Sequence, residues 1–214
     1  MDKLRVTEIF LSLQGESTTV GLPTVFVRLT GCPLRCVYCD TSYAFSGGQQ
    51  LTLKAILAEV KMHGARHVTV TGGEPLAQRP TIELLERLCD EGYFVSLETS
   101  GALNCKTVDP RVMKVIDIKT PGSGEVERNL EVDLIASLNS GDQLKFVISD
   151  REDFDWSHDW LQANTLPPGV EVLLSPVHEH LHPRKLGEWL LEAKLEARLQ
   201  IQLHKYLWGN EPGR

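Results

Sequence analysis

The chain has no apolar run approaching the roughly 18 residues that a membrane-spanning helix needs. Its start, Met1-Asp2-Lys3-Leu4-Arg5, passes straight into strand-like sequence rather than a charged and then apolar leader, so no signal peptide is expected. Both absences point to the cytoplasm and to no membrane partner. Basic residues are outnumbered, 22 Lys and Arg against 29 Asp and Glu, for a net charge of −7. A broad phosphate-gripping surface needs clustered cations, so no direct nucleic-acid partner is expected, while a local basic pocket stays open. Five cysteines in 214 residues are too few and too unevenly placed for a disulfide scaffold. Internal repeats, low-complexity stretches and linkers are also lacking. What remains has the ordinary globular balance of 42% apolar and 24% charged residues, read as a single domain over residues 1–214 with a substantial core.

Short apolar runs and helical patterns alternate along this domain. The strand-like runs are Val25–Leu29, His67–Thr71, Tyr93–Glu98, Val112–Lys119, Gln143–Ile148, Val170–Ser175 and Arg198–Leu203. Most are rich in Val, Ile or Leu, as strands buried on both faces should be. Between them, Leu53, Ile56, Leu57 and Val60 share one helical face, as do Leu84, Leu85 and Leu88, and later Leu186, Trp189, Leu190 and Ala193. Pro80 and Pro183 suit first-turn positions, and Gly92 a helix stop. Trp156 and Trp160 fall on one helix face and read as core packing. The alternation predicts an α/β fold with right-handed crossovers and a parallel sheet. About six or seven strands fit, fewer than a closed eight-unit barrel requires, so the expectation is a partial, open parallel β/α barrel. Pro121-Gly122-Ser123-Gly124 is a loop within it.

Three of the five cysteines fall in Gly31-Cys32-Pro33-Leu34-Arg35-Cys36-Val37-Tyr38-Cys39-Asp40-Thr41, with spacing C-x3-C-x2-C. Thiolates are soft donors that suit iron–sulfur clusters or zinc. A structural zinc site wants four ligands, usually in two pairs, and no second pair exists. Cys89, beside Leu88 on a helix face, reads as core packing, and Cys105, in a loop, as incidental. His178, His180 and His182 alternate in a Pro-flanked loop, which is not the spacing of a helical metal-ligand pair. Polar residues gather where strands end: Thr71-Gly72-Gly73-Glu74-Pro75, Glu98-Thr99-Ser100-Gly101, Asp117-Ile118-Lys119 and Ser175-Pro176-Val177, with Lys145 inside its strand. The C-terminal ends of parallel strands are the active face of such folds.

C-x3-C-x2-C with an aromatic residue (Tyr38) before the last cysteine resembles the signature of the radical S-adenosylmethionine (SAM) superfamily. That resemblance implies a [4Fe–4S] cluster on Cys32, Cys36 and Cys39 with one open iron. The open iron chelates SAM, and one electron from the reduced cluster releases a 5′-deoxyadenosyl radical that takes hydrogen from substrate. Thr71–Pro75 resembles the superfamily's GGEP element, which implies Gly73 and Glu74 at SAM, where glycine allows close approach.

Ile9-Phe10-Leu11-Ser12-Leu13-Gln14-Gly15-Glu16, Phe26-Val27-Arg28-Leu29-Thr30-Gly31-Cys32, Tyr38-Cys39-Asp40-Thr41 and Gln202-Leu203-His204-Lys205-Tyr206-Leu207 narrow the resemblance to the 7-carboxy-7-deazaguanine synthase family, over nearly the whole chain. Some family members carry a longer insert between the first two cluster cysteines, and Trp208–Arg214 runs on past the last motif without an assigned role. The resemblance implies a carbon–nitrogen lyase of queuosine and 7-deazaguanine biosynthesis. It would contract 6-carboxy-5,6,7,8-tetrahydropterin to 7-carboxy-7-deazaguanine with loss of ammonia, using SAM without consuming it. Leu13, Gln14, Gly15, Arg28 and Thr99 would bind the pterin, with Arg28 on its carboxylate. Tyr38, Cys39, Asp40, Gly101, Lys119, Lys145 and Ser175 would line SAM, and Thr41 would ligate Mg²⁺. A flavodoxin-like or other one-electron reductant and a homodimer are also implied. Two rivals are a glycyl-radical activating enzyme, which leaves Leu13–Glu16 and Thr41 unexplained, and an electron-transfer or structural iron–sulfur module, which would need a fully ligated cluster.

Overall fold

The computed structural model describes residues 2–128, 135–211 and 213. Its strands are β1 (Lys3–Leu13), β2 (Pro23–Leu29), β3 (Gln49–Thr52), β4 (His67–Gly72), β5 (Phe94–Thr99), β6 (Met113–Ile118), β7 (Gln143–Ile148), β8 (Glu171–Pro176) and β9 (Arg198–Leu199). They form one sheet in the order β3-β1-β2-β4-β5-β6-β7-β8-β9. From β2 to β9 every neighbouring pair is parallel, while β1 runs antiparallel to both β2 and β3. The ends β3 and β9 do not meet, so the barrel is open, with seven parallel strands and a two-strand antiparallel extension.

The helices follow the periodicity. Helix α1 (Leu53–His63) buries Leu53, Ile56, Leu57 and Val60, and α2 (Thr81–Asp90) buries Leu84, Leu85 and Leu88. Helices α3 (Arg151–Ala163) and α4 (Pro183–Ala193) cross over between later strands, with α4 burying Leu186, Trp189 and Leu190. Trp156 and Trp160 pack partly buried against the core. Thr52 caps α1 by accepting from Ala55 N, Asp150 caps α3 through Asp153 N, and Pro183 opens α4.

Successive strand residues face opposite sides. One side of β2, β4, β5 and β7 carries Val25, Val27, Leu29, Val68, Val70, Val95, Leu97, Leu144, Phe146 and Ile148, all in the core under the helices. The other side carries Arg28, Thr71, Glu98 and Lys145, which face the barrel interior. The strands are therefore apolar toward the helices and mixed toward the interior, where Phe10, Phe26, Val115 and Val147 stand among the polar groups.

Three elements differ from the sequence expectation. Strand β1, noted in the sequence only as strand-like residues after Arg5, is split by a bulge between Val6 and Glu8. Leu4 and Val6 join the core, whereas Phe10, of the same parity, stacks on Phe26 at 5.1 Å inside the barrel. One extra residue moves the following side chains to the other face. Strand β3 is short and half exposed, too polar to show as a strand. The run expected over Arg198–Leu203 pairs only at Arg198 and Leu199 with Leu173 and Leu174. After Gln200 N bonds Leu174 O, the chain turns away and begins α5 (Leu203–Trp208). Cys105 is not incidental but buried in the core, 2% exposed. Of Trp208–Arg214, Pro212 and Arg214 lie outside the described residues, as does Met1. Among the described residues no helix is long and apolar enough to cross a membrane.

Candidate active site

A cavity of about 410 Å³ opens at the C-terminal ends of the parallel strands, a size suited to a small organic ligand. Its rim is the loop after β2. Backbone bonds fix that loop on three sides: Gly31 N to Ala44 O at 2.8 Å, Val37 N to Ser123 O at 3.0 Å, and Glu74 N to Gly31 O at 2.8 Å. Cys32, Cys36 and Cys39 are half buried, and all three line the cavity. Burial pushes each thiol above its ordinary value; neighbouring thiols add to the rise at Cys32 and Cys36, Asp40 adds to it at Cys39, and Lys119 opposes it at all three. Among the described residues no three His, Cys, Asp or Glu side chains converge on a point that could hold a single metal ion. That is the arrangement a mononuclear zinc site would require. A cubane takes each thiolate on a separate iron, and three thiols spaced around one cavity fit it.

The two glycines of the GGEP element explain how the loop sits. A Cβ on Gly72 would come 2.1 Å from Leu29 O, and one on Gly73 would come 2.2 Å from Gly31 O and 2.9 Å from Cys32 Cβ. Their first service is thus to let β4 press against the cysteine loop. Glu74 is fully buried. Its carboxylate accepts from Leu76 N at 2.9 Å, Thr99 Oγ1 at 2.9 Å, Ser100 N at 2.7 Å and Ser100 Oγ at 2.5 Å. It ties the end of β4 to the end of β5. Of the residues expected at SAM or pterin, Glu74 and Gly101 do not line the cavity. Leu13, Gln14, Gly15, Arg28, Tyr38, Cys39, Asp40, Thr41, Gly73, Thr99, Lys119, Lys145 and Ser175 all do.

The interior is charged. Lys145 pairs with Glu16 at 2.6 Å and approaches Asp117 at 3.6 Å, and Lys119 pairs with Asp117 at 3.0 Å. Burial alone would raise the Glu16 carboxyl, but the charge and hydrogen bond of Lys145 outweigh it and hold it below its ordinary value. Lys145 is held well above its own ordinary value by Glu16 and Asp117, against its burial. Glu98 behaves oppositely, because burial and the charge of Glu16 push it up. Arg28 gives its Nε to Glu8 at 2.7 Å and lies over the rings of Phe10 and Tyr43. Thr41 Oγ1 donates to Asp40 Oδ1 at 2.8 Å, so two oxygen donors stand side by side.

Several lining residues were not singled out in the sequence, among them Glu16, Glu98, Asp117, Gln202 and His204. Each lay within a quoted motif, but only contacts separate the residues that line from those that support. Gln14 illustrates the difference. Its Nε2 donates to Thr69 and Glu98, and its Oε1 accepts from Glu16 N, so its amide positions the wall. Gly15 is pinned by the far end of the chain, with Leu203 N on its carbonyl at 3.0 Å. A Cβ there would lie 1.9 Å from His204 Nδ1 and 3.1 Å from His204 Cβ. Gly15→Ala should therefore displace His204 from the wall. Overpacking of this kind costs about 1–3 kcal/mol, expected as a lower melting temperature together with a raised KM.

The sequence profile of the Radical SAM superfamily matches residues 26–118. An open, mostly parallel barrel with three thiols around a cavity at its strand ends defines a radical SAM enzyme. The chain is 42% identical over 208 residues to 7-carboxy-7-deazaguanine synthase of Chlorobaculum tepidum, covering 96% of this chain and 94% of that protein. It is 40% identical to the enzyme of the same name from Koribacter versatilis, covering 97% and 98%. The crystal structure of QueE from Escherichia coli shares the fold, with a TM-score of 0.78 at 23% identity over 94% of this chain and 95% of that one. Within the radical SAM superfamily the chain belongs to the 7-carboxy-7-deazaguanine synthase family.

Proposed function

We propose that the cavity contracts 6-carboxy-5,6,7,8-tetrahydropterin to 7-carboxy-7-deazaguanine with loss of ammonia. The observation that carries this is the sharing of one 410 Å³ cavity by three cluster thiols and a buried set of opposed charges. When bound, the cluster and SAM supply an electron and a carbon radical able to take a hydrogen atom from the pterin. The chain's own residues bind, orient and exclude water. Cys32, Cys36 and Cys39 would hold the cluster, and Gly73 lets β4 pack against their loop. Lys119, Lys145, Ser175 and the Tyr38–Asp40 stretch line the cavity and would face SAM. Gly101 and Glu74 support that wall from behind, Glu74 by fixing Thr99 and Ser100. Leu13 and Gly15 offer backbone groups to the pterin, and Thr99 lies beside it. Arg28 receives the pterin carboxylate: among the described residues its terminal nitrogens make no hydrogen bond, while Glu8 and the two rings hold the guanidinium in place.

Asp40 and Thr41 are hard oxygen donors suited to Mg²⁺, which keeps water and substrate oxygens in its other positions. A flavodoxin-like reductant, a homodimer and a cytoplasmic setting belong to the same reading. A cavity of this size suits a small molecule rather than the protein substrate of a glycyl-radical activating enzyme.

The test is anaerobic reconstitution with iron and sulfide, followed by SAM, reductant, Mg²⁺ and 6-carboxytetrahydropterin, with products read by mass spectrometry. Appearance of 7-carboxy-7-deazaguanine is expected. SAM cleavage with the pterin untouched would reject the substrate. Arg28→Met should raise KM by about 10–100-fold, the weight of a charge-assisted hydrogen bond of about 1.5–3 kcal/mol, with a smaller change in kcat.

A further inference from the structure

Glu98 differs from the other interior acids. Glu16 and Asp117 have lysines within 4 Å. Among the described residues no Lys, Arg or His side chain comes within ion-pairing distance of Glu98. Its Oε2 accepts from Thr71 Oγ1 at 2.8 Å, and its Oε1 accepts from Gln14 Nε2 at a longer 3.2 Å. Both donors are neutral. A carboxylate has about four acceptor positions, so two donors leave half of its capacity open inside a cavity. Buried ionisable groups are ordinarily compensated, and here the compensation is incomplete without a ligand.

Position makes the deficit informative. Arg28 on β2 pairs in register with Thr71 on β4. The pairing of Val70 with Leu97 brings Thr71 beside Glu98 on β5, as their hydrogen bond confirms. Arg28, Thr71 and Glu98 thus stand level on three adjacent strands, and all three line the cavity. Neighbouring strands are about 4.8 Å apart, so a cation and an acceptor-rich carboxyl are set about two strand spacings apart. That separation is comparable with the long axis of a bicyclic ring. A reduced pterin bearing a 6-carboxylate has a negative group at one end of that axis. At the other it has two adjacent N–H donors, the ring N3–H and the exocyclic 2-amino group.

We propose that Glu98 is a specificity-determining residue that receives the N3–H and 2-amino donors of the substrate while Arg28 receives its carboxylate. The proposal rests on the pterin reading given above. It deepens that reading by fixing the ligand's direction: carboxylate toward β2, amino-pyrimidinone edge toward β5. Thr71 and Gln14 are positioning residues that hold the carboxyl toward the cavity.

The experiment compares kcat/KM of the reconstituted holoenzyme for 6-carboxytetrahydropterin and for its 2-deamino analogue. A site built around a substrate N–H rejects the analogue lacking it strongly, so the wild type should disfavour the analogue by about 100-fold or more. In Glu98→Gln one acceptor oxygen becomes a donor. KM for the pterin should rise by about 10–100-fold with kcat less affected, and the discrimination should shrink to a few fold. Glu98→Asp, which keeps the charge, should recover part of it. Equal use of both compounds by the wild type overturns the proposal, as does undiminished discrimination in a Glu98→Gln enzyme with full cluster content. If Glu98→Gln does not fold, the wild-type comparison decides alone. Failure of the wild type to convert the pterin while it still cleaves SAM removes the substrate reading, and this proposal with it. Conversion of the pterin without discrimination removes only the role of Glu98.

Discussion

Cys36→Ala should abolish both SAM cleavage and pterin conversion, whereas Cys89→Ala should leave both intact. The expectation follows from placement. Cys32, Cys36 and Cys39 line one cavity on a loop fastened to Ala44, Ser123 and Glu74. Cys89 packs half-buried against the helix-side core. Three protein ligands give a cubane no spare, because the remaining iron is the one SAM must reach. Removing one thiolate should leave a cluster that is lost on reconstitution or cannot be held in place. The readouts are iron and sulfide content, the electron paramagnetic resonance signal of the reduced protein, and its change on adding SAM. Cys105→Ala makes a second control, since a small buried side chain in the core should cost stability of about 1 kcal/mol and nothing in cluster content. A Cys36→Ala protein that retained a SAM-responsive cluster would show that the ligands had been wrongly assigned.

The parts of this molecule that the sequence made legible are those with a local rule. Helix faces follow a 3.6-residue period, so Leu53, Ile56, Leu57 and Val60 could be placed on the core side before any contact was known. The cysteine spacing carries its own chemistry. The polar strand ends marked the right end of the barrel. What stayed hidden depends on partners distant in the chain. The apolar positions of β1 pass from Leu4 and Val6 to Ile9, Leu11 and Leu13, but only pairing with β2 shows that this change of phase is a bulge and that the face changes. The tail beyond Gln200 looks like a strand until its hydrogen bonds run out, and that early end is what lets His204 reach Gly15. Glu74 sits in a motif associated with SAM, yet its side chain serves Thr99 and Ser100. Glu98 and Glu16 are both buried acids inside the barrel, but the close pair with Lys145 holds Glu16 down while burial and the charge of Glu16 push Glu98 up.

That last contrast yields the largest stability effect. In Lys145→Met the ion pair with Glu16, at 2.6 Å and largely buried, loses its cation and leaves a carboxylate among Gln202 and Glu98. Breaking a buried pair from one side costs about 3–5 kcal/mol. At about 2–4 °C per kcal/mol for a chain of this size, the melting temperature should fall by about 10 °C. The pH dependence carries the diagnosis. In the wild type Glu16 is held below its ordinary 4.5, so its contribution is present above that value and disappears as pH falls through the lowered one. Lys145 is held above its ordinary 10.5, so its contribution is present below that value and disappears as pH rises through the raised one. Between these limits the pair contributes a plateau. Without Lys145 the desolvation of Glu16, its largest influence, is opposed only by Gln202 and His204, and its folded value should rise above the ordinary one. The folded variant then binds more protons than the unfolded chain, and its stability declines as pH rises. Melting temperatures followed upward from about pH 4.5 should decline more in Lys145→Met than in the wild type, where only the raised carboxyl of Glu98 contributes such a decline. Glu16→Gln in the same chain removes the unpaired charge, so the double variant should regain most of the lost stability. It should not regain SAM cleavage, because Lys145 faces the cavity and its ammonium is still missing. If the double variant regains turnover along with stability, Lys145 serves the barrel alone, and the SAM-facing wall must be rebuilt around Lys119 and Ser175.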